Sequence, residues 1–578
     1  MNAAGRLAIA SVCFTLTFAP VSSESQGLVR ARPCRGETIT AITYSQRPPA
    51  FGGQLADANR LWSEFTALPH TTTRSDLVAH YVPVKVGDLC TEFARHEAER
   101  MVRGQPYIAD AVVRPIDDGA GRVRLEIDTI DEMPLVLLGS LGHGTLSSLG
   151  AGNGNFGGNG LAANLFFERG FNYRNGYGFD ATQYGFFNKP WNLSLRAKQS
   201  PTGEAWGVEF ANPLLTDLQR LSFHTGITST TDYYGLTRPT GDAIGLFVRR
   251  TAYDAGMVWR LGTPGGVVGL LGGLLMGEDT RIDRDNFVVL SDSGLVPTAP
   301  IPALLSGVAP FTVTRATLVT GYRALTYKTV RNFDALRAQQ DVATGTQLIV
   351  IAGPSLRAST GANDYYVNGD FYAASGGPGS FAELRIVGET RMQQSTYELK
   401  GVVGSATAAW YTKPSATRTR VLNAELSGIR SLTYPMQLTL ADQEGGLRGF
   451  VGSHEAGGAR FVIRAEERQL LNWYFPRADF AVAEFVDAGK VWAGGAPLSN
   501  TSEVKASVGL SLLGSYPSGG MRVYRLDLGI PLNNRGGSSW EVRLSANDIS
   551  HWILREARDV TRARSAAVPR NVLNFAPR

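Results

Sequence analysis

Cysteine is nearly missing from this chain of 578 residues: Cys13, Cys34 and Cys90 are the whole complement. That excludes a disulfide-dense scaffold and a cysteine-rich metal cage. An excess of one charge is missing too. Lys and Arg number 56 against 51 Asp and Glu, a net charge of +5 dispersed along the chain. Nucleic acid is therefore not an implied partner. Past the N-terminus no run reaches the ~18 apolar residues that a membrane helix requires. The most apolar stretch, Val267 to Gly277, is short and rich in glycine. The G-x-S-x-G, H-E-x-x-H and G-x-x-x-x-G-K-[ST] patterns are absent, and seven histidines lie scattered. Neither a catalytic residue, a metal site nor a cofactor is expected, and the chain does not read as an enzyme.

What is present begins with an export signal, expected over residues 1–23. Arg6 supplies the positive end, Leu7 to Val21 the apolar stretch, and Val21-Ser22-Ser23 the cleavage site. Cys13 lacks the neighbours of a lipobox, so a cleaved signal is expected. The mature chain then holds Cys34 and Cys90, which form one disulfide or remain two buried thiols.

Residues 35–132 read as a compact α+β module. "GETITAITYSQ" is a strand, and a long insertion with a helix near "ANRLWSEF" follows it. "TRSDLVAHYV" and "TEFARHEAERMV" are helices, and "YIADAVVRPI" and "GRVRLEIDTI" form a hairpin around "DDGAG". Cys34 precedes the first strand and Cys90 opens the second helix, so both fall at one end of the module and are expected to pair.

From about Leu146 the helical period gives way to alternation. "VKASVGLSL" sets Val504, Ala506, Val508, Leu510 and Leu512 on one side. "YRLDLGIPL" separates Leu526, Leu528, Ile530 and Leu532 from Arg525, Asp527 and Gly529, and "WEVRLSA" separates Trp540, Val542, Leu544 and Ala546 from Glu541, Arg543 and Ser545. Such strands build a sandwich, apolar inward, or an outer-membrane barrel, apolar outward. The export signal, the repetition over residues 146–548, and Trp191, Trp206, Trp410, Trp473, Trp492 and Trp540 near strand ends favour the barrel. The expected fold is mainly β, a transmembrane antiparallel barrel of about 16 strands behind one small N-terminal α+β domain. "LGAGNGNFGGNG", Leu149 to Gly160, looks like a nucleotide loop, but no helix follows, so it reads as a strand and turn. Ser291–Pro310 and Leu432–Gly458 suit long outer loops. Residues 549–578 are either a basic periplasmic tail or, through Asn571 to Phe575, the end of the last strand.

Within the second long loop, "EGGLRGFVG" clamps Arg448 beside glycine, and further on "FVDAGKVW" sets Phe485, Asp487 and Gly489 on one strand face. A carboxylate turned into a lumen needs a partner, and a guanidinium on a glycine-hinged loop supplies one bidentately. Arg464, Glu466 and Arg468 share a parity and extend the lumenal charge. "LRGF" with "FVDAGKVW" resembles the bacterial surface antigen superfamily, the outer-membrane assembly and two-partner-secretion barrels. The resemblance implies that Arg448, Gly449 and Phe450 form the tip of an inward-folded loop. Its arginine would meet Asp487 of the strand motif Phe485, Asp487, Gly489. Leu447 stands where that family has valine or isoleucine. The module is similar to a polypeptide-transport-associated (POTRA) domain, whose hairpin, near Val112 or Leu125, would offer a sheet edge. The implied activity is translocation or insertion of extended polypeptide clients by a monomeric barrel in outer-membrane lipid; the alternative is a passive outer-membrane channel or surface-structural barrel without a polypeptide client.

Overall fold

The computed structural model describes residues 33–49, 71–142, 145–171, 174–291, 293–305, 308, 310–358, 363–450, 454–472, 478–533, 540–548, 556–565 and 568. The signal segment, the helix expected near "ANRLWSEF", Trp473 and Asn571 to Phe575 lie outside these.

The N-terminal module runs β1 (Thr38–Arg47), α1 (Ser75–Ala79), α2 (Glu92–Arg103), β2 (Ile108–Asp117) and β3 (Arg122–Asp131). Thr91 caps α2 by accepting a hydrogen bond from the Ala94 amide. The hairpin β2–β3 is antiparallel, and β1 joins β3 in parallel, giving the order β1-β3-β2. Leu125 therefore lies on the central strand and not on an edge, because the first strand pairs across the hairpin. The edges are β1, with Thr43 exposed, and β2, with Val112 and Arg114. Ile39, Leu77, Val78, Ala98, Val102, Val113 and Ile127 build the module core. A disulfide joins Cys34 to Cys90 across a separation of 56 residues.

Glu132 turns the chain from module to barrel, its carboxylate accepting from the amides of Met521 and Arg522 at 2.8 and 3.2 Å. The wall then closes as a single antiparallel barrel of 20 strands among the described residues. This corrects the expected count of about 16. Alternation is a weak signal per strand in a barrel. Glycine and asparagine obscure it in early strands such as Thr145–Phe156, and one strand, Val268–Ser291, is 24 residues long. Gly294–Thr298 folds back on that strand as a flap, while the wall continues directly to Phe311–Arg331. The barrel also starts before Leu146. Its first strand is Leu135–Gly142, a run of leucine and valine that shows no alternation. This strand closes the wall against Glu541–Asp548 through four register pairs, Gly139–Leu544 to Gly142–Glu541.

Exposure settles which face is which. Leu510 is 62% exposed, whereas Ser511 beside it is 4% exposed. Val504, Leu512, Leu526, Leu528, Ile530, Leu532, Trp540 and Leu544 are exposed as well, while Ser507, Arg525, Asp527 and Glu541 are buried. Trp206, Trp410 and Trp492 also face outward. A soluble sandwich would show the reverse. No helix among the described residues is long and apolar enough to cross a membrane; the strands do so, closed into a wall with no free edge.

The module sits on one end of the barrel. Arg100 donates to the Leu215 carbonyl at 2.6 Å and stacks over Tyr327 at 3.9 Å, and Glu97 accepts from the Thr216 hydroxyl. The Arg74 amide donates to Gly158, in the turn that ends the glycine-rich stretch.

Candidate functional site: an inward loop latched in the lumen

Between the strands Arg418–Arg430 and Ala459–Leu471 the chain makes its long excursion, and it turns into the barrel. Leu438–Thr439 pairs with Ala456–Gly457 at its base, and a short turn, Asp442–Glu444, leads to the tip. Backbone bonds from Leu447 to Leu440 and from Asp442 to Phe450 tie the tip into a compact knot.

Arg448 reaches the wall here. Its Nε and Nη2 donate to the two oxygens of Asp487 at 2.8 and 2.6 Å, and its backbone amide donates to Oδ2 at 3.2 Å. Nη1 donates to Glu466 at 2.5 Å. The guanidinium lies 3.6 Å from the centre of the Phe485 ring, a cation–π contact away from bulk water. Asp487 is fully buried. A planar fork with its charge spread over three nitrogens suits this place; an ammonium could not serve both carboxylates so.

The glycines act by what they lack. Gly449 has φ of 87°, and a side chain there would meet the Gly529 backbone at 2.9 Å. Gly529 lacks a side chain in turn, so the loop tip lies directly on the strand Arg522–Pro531. At Gly489 a Cβ would crowd Leu447 and Leu440. Those two leucines, with Phe450, Val462 and Val491, make a dry cluster under the tip.

Glu466 is the centre of the wider arrangement. Besides Arg448 it accepts from Arg468 at 2.6 Å and from Arg525 at 3.0 and 2.7 Å. Arg525 continues to Asp527 at 2.6 Å, and Ser511 bonds both. Three guanidiniums thus face Glu466, Asp487 and Asp527, which balances the buried charge. Arg464 lies opposite Asp487 in the strand register but spends its hydrogen bonds elsewhere. Its Nη2 holds the Gly445 and Gly446 carbonyls at 2.6 and 2.8 Å, and Nη1 meets Asn423. Arg464 therefore braces the loop's backbone. Sequence reading separated Arg525, Asp527 and Gly529 onto the polar face but gave them no role in this site. Their parity was the available signal, and only the closing of the wall brings them to Glu466.

Residues 556–565, expected in a periplasmic tail or a last strand, instead lie inside the barrel. Helix Arg558–Ala563 buries Asp559, Val560 and Ala563 against the wall and the inward loop. Asp559 accepts from Arg460 at 2.6 and 3.1 Å and from the Thr439 amide at 3.1 Å. The lumen is lined with buried polar groups that need partners, and this polar segment supplies some of them. Among the described residues no cluster of His, Cys, Asp and Glu could hold a metal ion.

No family model matches this chain, and no curated protein matches it. Among solved structures it is similar to BamA from Haemophilus ducreyi lacking POTRA domains 1–3, at 12% identity. That match covers 88% of this chain and 85% of BamA, with a TM-score of 0.39. It is also similar to CdiB from Escherichia coli, at 10% identity, covering 88% of this chain and 76% of CdiB, with a TM-score of 0.46. The alcaligin outer-membrane receptor FauA from Bordetella pertussis matches at 10% identity, covering 74% and 68%, with a TM-score of 0.29. At these values none of the three decides what passes through this barrel. Its closed wall, apolar outside and charged inside, is that of a bacterial outer-membrane protein.

Proposed function

We propose that this protein translocates extended polypeptides across the bacterial outer membrane or inserts them into it. In this reading residues 35–132 are a single periplasmic POTRA-like domain that binds the client. The observation that carries the reading is the inward loop, whose Arg448 grips Asp487 and Glu466 at once. A passive pore has no need of a long loop folded through its lumen and latched by buried charge. Arg448, Gly449 and Phe450, with Phe485, Asp487, Gly489 and Glu466, are a structural latch and take part in no bond-making chemistry. The module's β1 edge gives an extended client backbone partners by strand addition, whereas the β2 edge is already bonded at Val113 by Glu99 and Arg95 of α2. The client then follows the lumen, or the short seam of four register pairs between first and last strands. In this reading the barrel works as a monomer in outer-membrane lipid.

The test uses the purified chain in liposomes with a photo-crosslinker at Thr43 on β1. The probe is a urea-unfolded outer-membrane barrel protein, compared with the same protein folded. Crosslinks to the unfolded form alone are expected. No crosslink from that edge, together with steady open-pore conductance, would favour a passive channel and overturn the proposal.

A further inference from the structure

The C-terminal segment is held by more than chance packing, and polar groups at both of its ends have partners. Arg250 donates to the carbonyls of Arg562 and Arg564 at 2.9 and 3.1 Å, and the Tyr434 hydroxyl donates to those of Arg562 and Ala563 at 2.7 and 3.1 Å. The last turn of the helix is therefore capped by the barrel and its loop, not by water. Beyond it, the Ser565 amide donates to Glu389 at 2.7 Å and its hydroxyl to Glu278 at 3.0 Å. Before it, Glu556 accepts from Ser405 at 2.6 Å and clasps Arg564, which also donates to the Val387 and Val403 carbonyls. Val560 is fully buried among Leu246, Met436 and Leu438.

The segment also touches the inward loop. Asp559 bridges wall Arg460 and the Thr439 amide, and Arg562 pairs with Glu444. Gly445 lies directly against Ala557. One carboxylate thus joins three bodies: wall, loop and tail.

We propose that residues 556–565 are a resident plug, seated in a peptide-binding site built into the lumen, and that the plug keeps the barrel closed until it is displaced. The site recognises a short helical peptide. Arg460 takes its acidic residue, Arg250 and Tyr434 take its terminal carbonyls, and Glu278 and Glu389 take the donors that follow. Whatever passes through the lumen must compete for this site. Because Asp559 also holds the loop, releasing the plug loosens the loop base while Arg448 still grips Asp487. The inference needs only a barrel with a lumen and does not rest on the polypeptide reading.

The experiment uses the full chain in planar bilayers, with no client, beside labelling of Val560→Cys by a membrane-impermeant maleimide. Cys13 is first replaced by serine, and Cys34 and Cys90 are bonded to each other, so none of the three competes for the label. Slow labelling is expected in the otherwise natural chain. Asp559→Lys, which sets a cation against Arg460, should raise both labelling rate and open probability at least tenfold. Heat-modifiable mobility on gels reports whether that variant assembles. If it does not, Arg562→Glu, which breaks only the tie to Glu444, replaces it with the same expected direction. Fast labelling of Val560→Cys in the natural background overturns the placement of the segment. Unchanged conductance in an assembled variant overturns the plug.

Discussion

Replacing Arg448 by alanine separates the latch from the barrel that carries it. The substitution removes two hydrogen bonds to Asp487, one to Glu466 and the contact with the Phe485 ring. Glu466 keeps Arg468 and Arg525, so it is not orphaned. Asp487 keeps only the loop amide at 3.2 Å and has no exposure to water. Breaking one side of a buried pair costs ~3–5 kcal/mol, and the ring contact adds ~1–2 kcal/mol. A loss of about 4 kcal/mol shifts the inward–outward equilibrium of the loop by roughly a thousandfold. The 20-strand hydrogen-bonded wall does not depend on it. Protease added from the outer face should cut residues 438–457 at least a hundredfold faster in Arg448→Ala, while heat-modifiable mobility stays unchanged. Client export should fall more than assembly does. Arg448→Ala with Asp487→Asn removes the stranded charge and should recover part of the protection, a coupling that a double-mutant cycle measures. Equal protection in the natural chain, the single and the double variant would refute the latch.

Three further outcomes follow from neighbouring features. Burial pushes the Glu132 carboxyl up to about 7, from an ordinary 4.5, against the opposing pull of Arg522. The folded junction then holds a proton that the unfolded chain releases, so stability falls as pH rises from about 4.5 to 7 and levels off above. The shift corresponds to about 3 kcal/mol; proteolysis between module and barrel should rise over that window, and Glu132→Gln should flatten the profile. Reducing the Cys34–Cys90 bond, or Cys34→Ser, should destabilise the module by ~4 kcal/mol, from the chain entropy of so long a loop. Denaturant titration followed by module fluorescence would show this, with barrel mobility unaltered. Gly449→Ala places a side chain at φ of 87° against Gly529; a cost of ~1–2 kcal/mol should appear as faster loop proteolysis, smaller than for Arg448→Ala.

Alternation from Val504 to Ala546 was enough, read alone, to assign two faces to each strand, since side chains on a pleated strand must point opposite ways. The latch was legible by another route. An arginine among glycines and an aspartate on the polar face of a later strand can pair, and the resemblance of their two motifs is what singled them out. Which face met water was not in the pattern, and neither was the number of strands. Glycine-rich Thr145–Phe156 and leucine-rich Leu135–Gly142 hardly alternate, so they became wall strands only through pairing with their neighbours. Arg525 and Asp527 had the right parity, but Glu466 is 59 residues from Arg525 along the chain, and closure alone makes them adjacent. The C-terminal segment was the least legible part. Its polarity excludes a lipid-facing strand, yet a lumen that can bind it exists only once the barrel closes around a row of buried arginines and carboxylates. Sequence by itself determined the two-faced strands, because alternation is a property of neighbouring residues, and it offered Arg448 and Asp487 as partners only through the resemblance of their motifs. The tertiary structure decided strand number, the charge network around Glu466 and the seat of the tail, because each depends on groups distant in sequence sharing one dry enclosure.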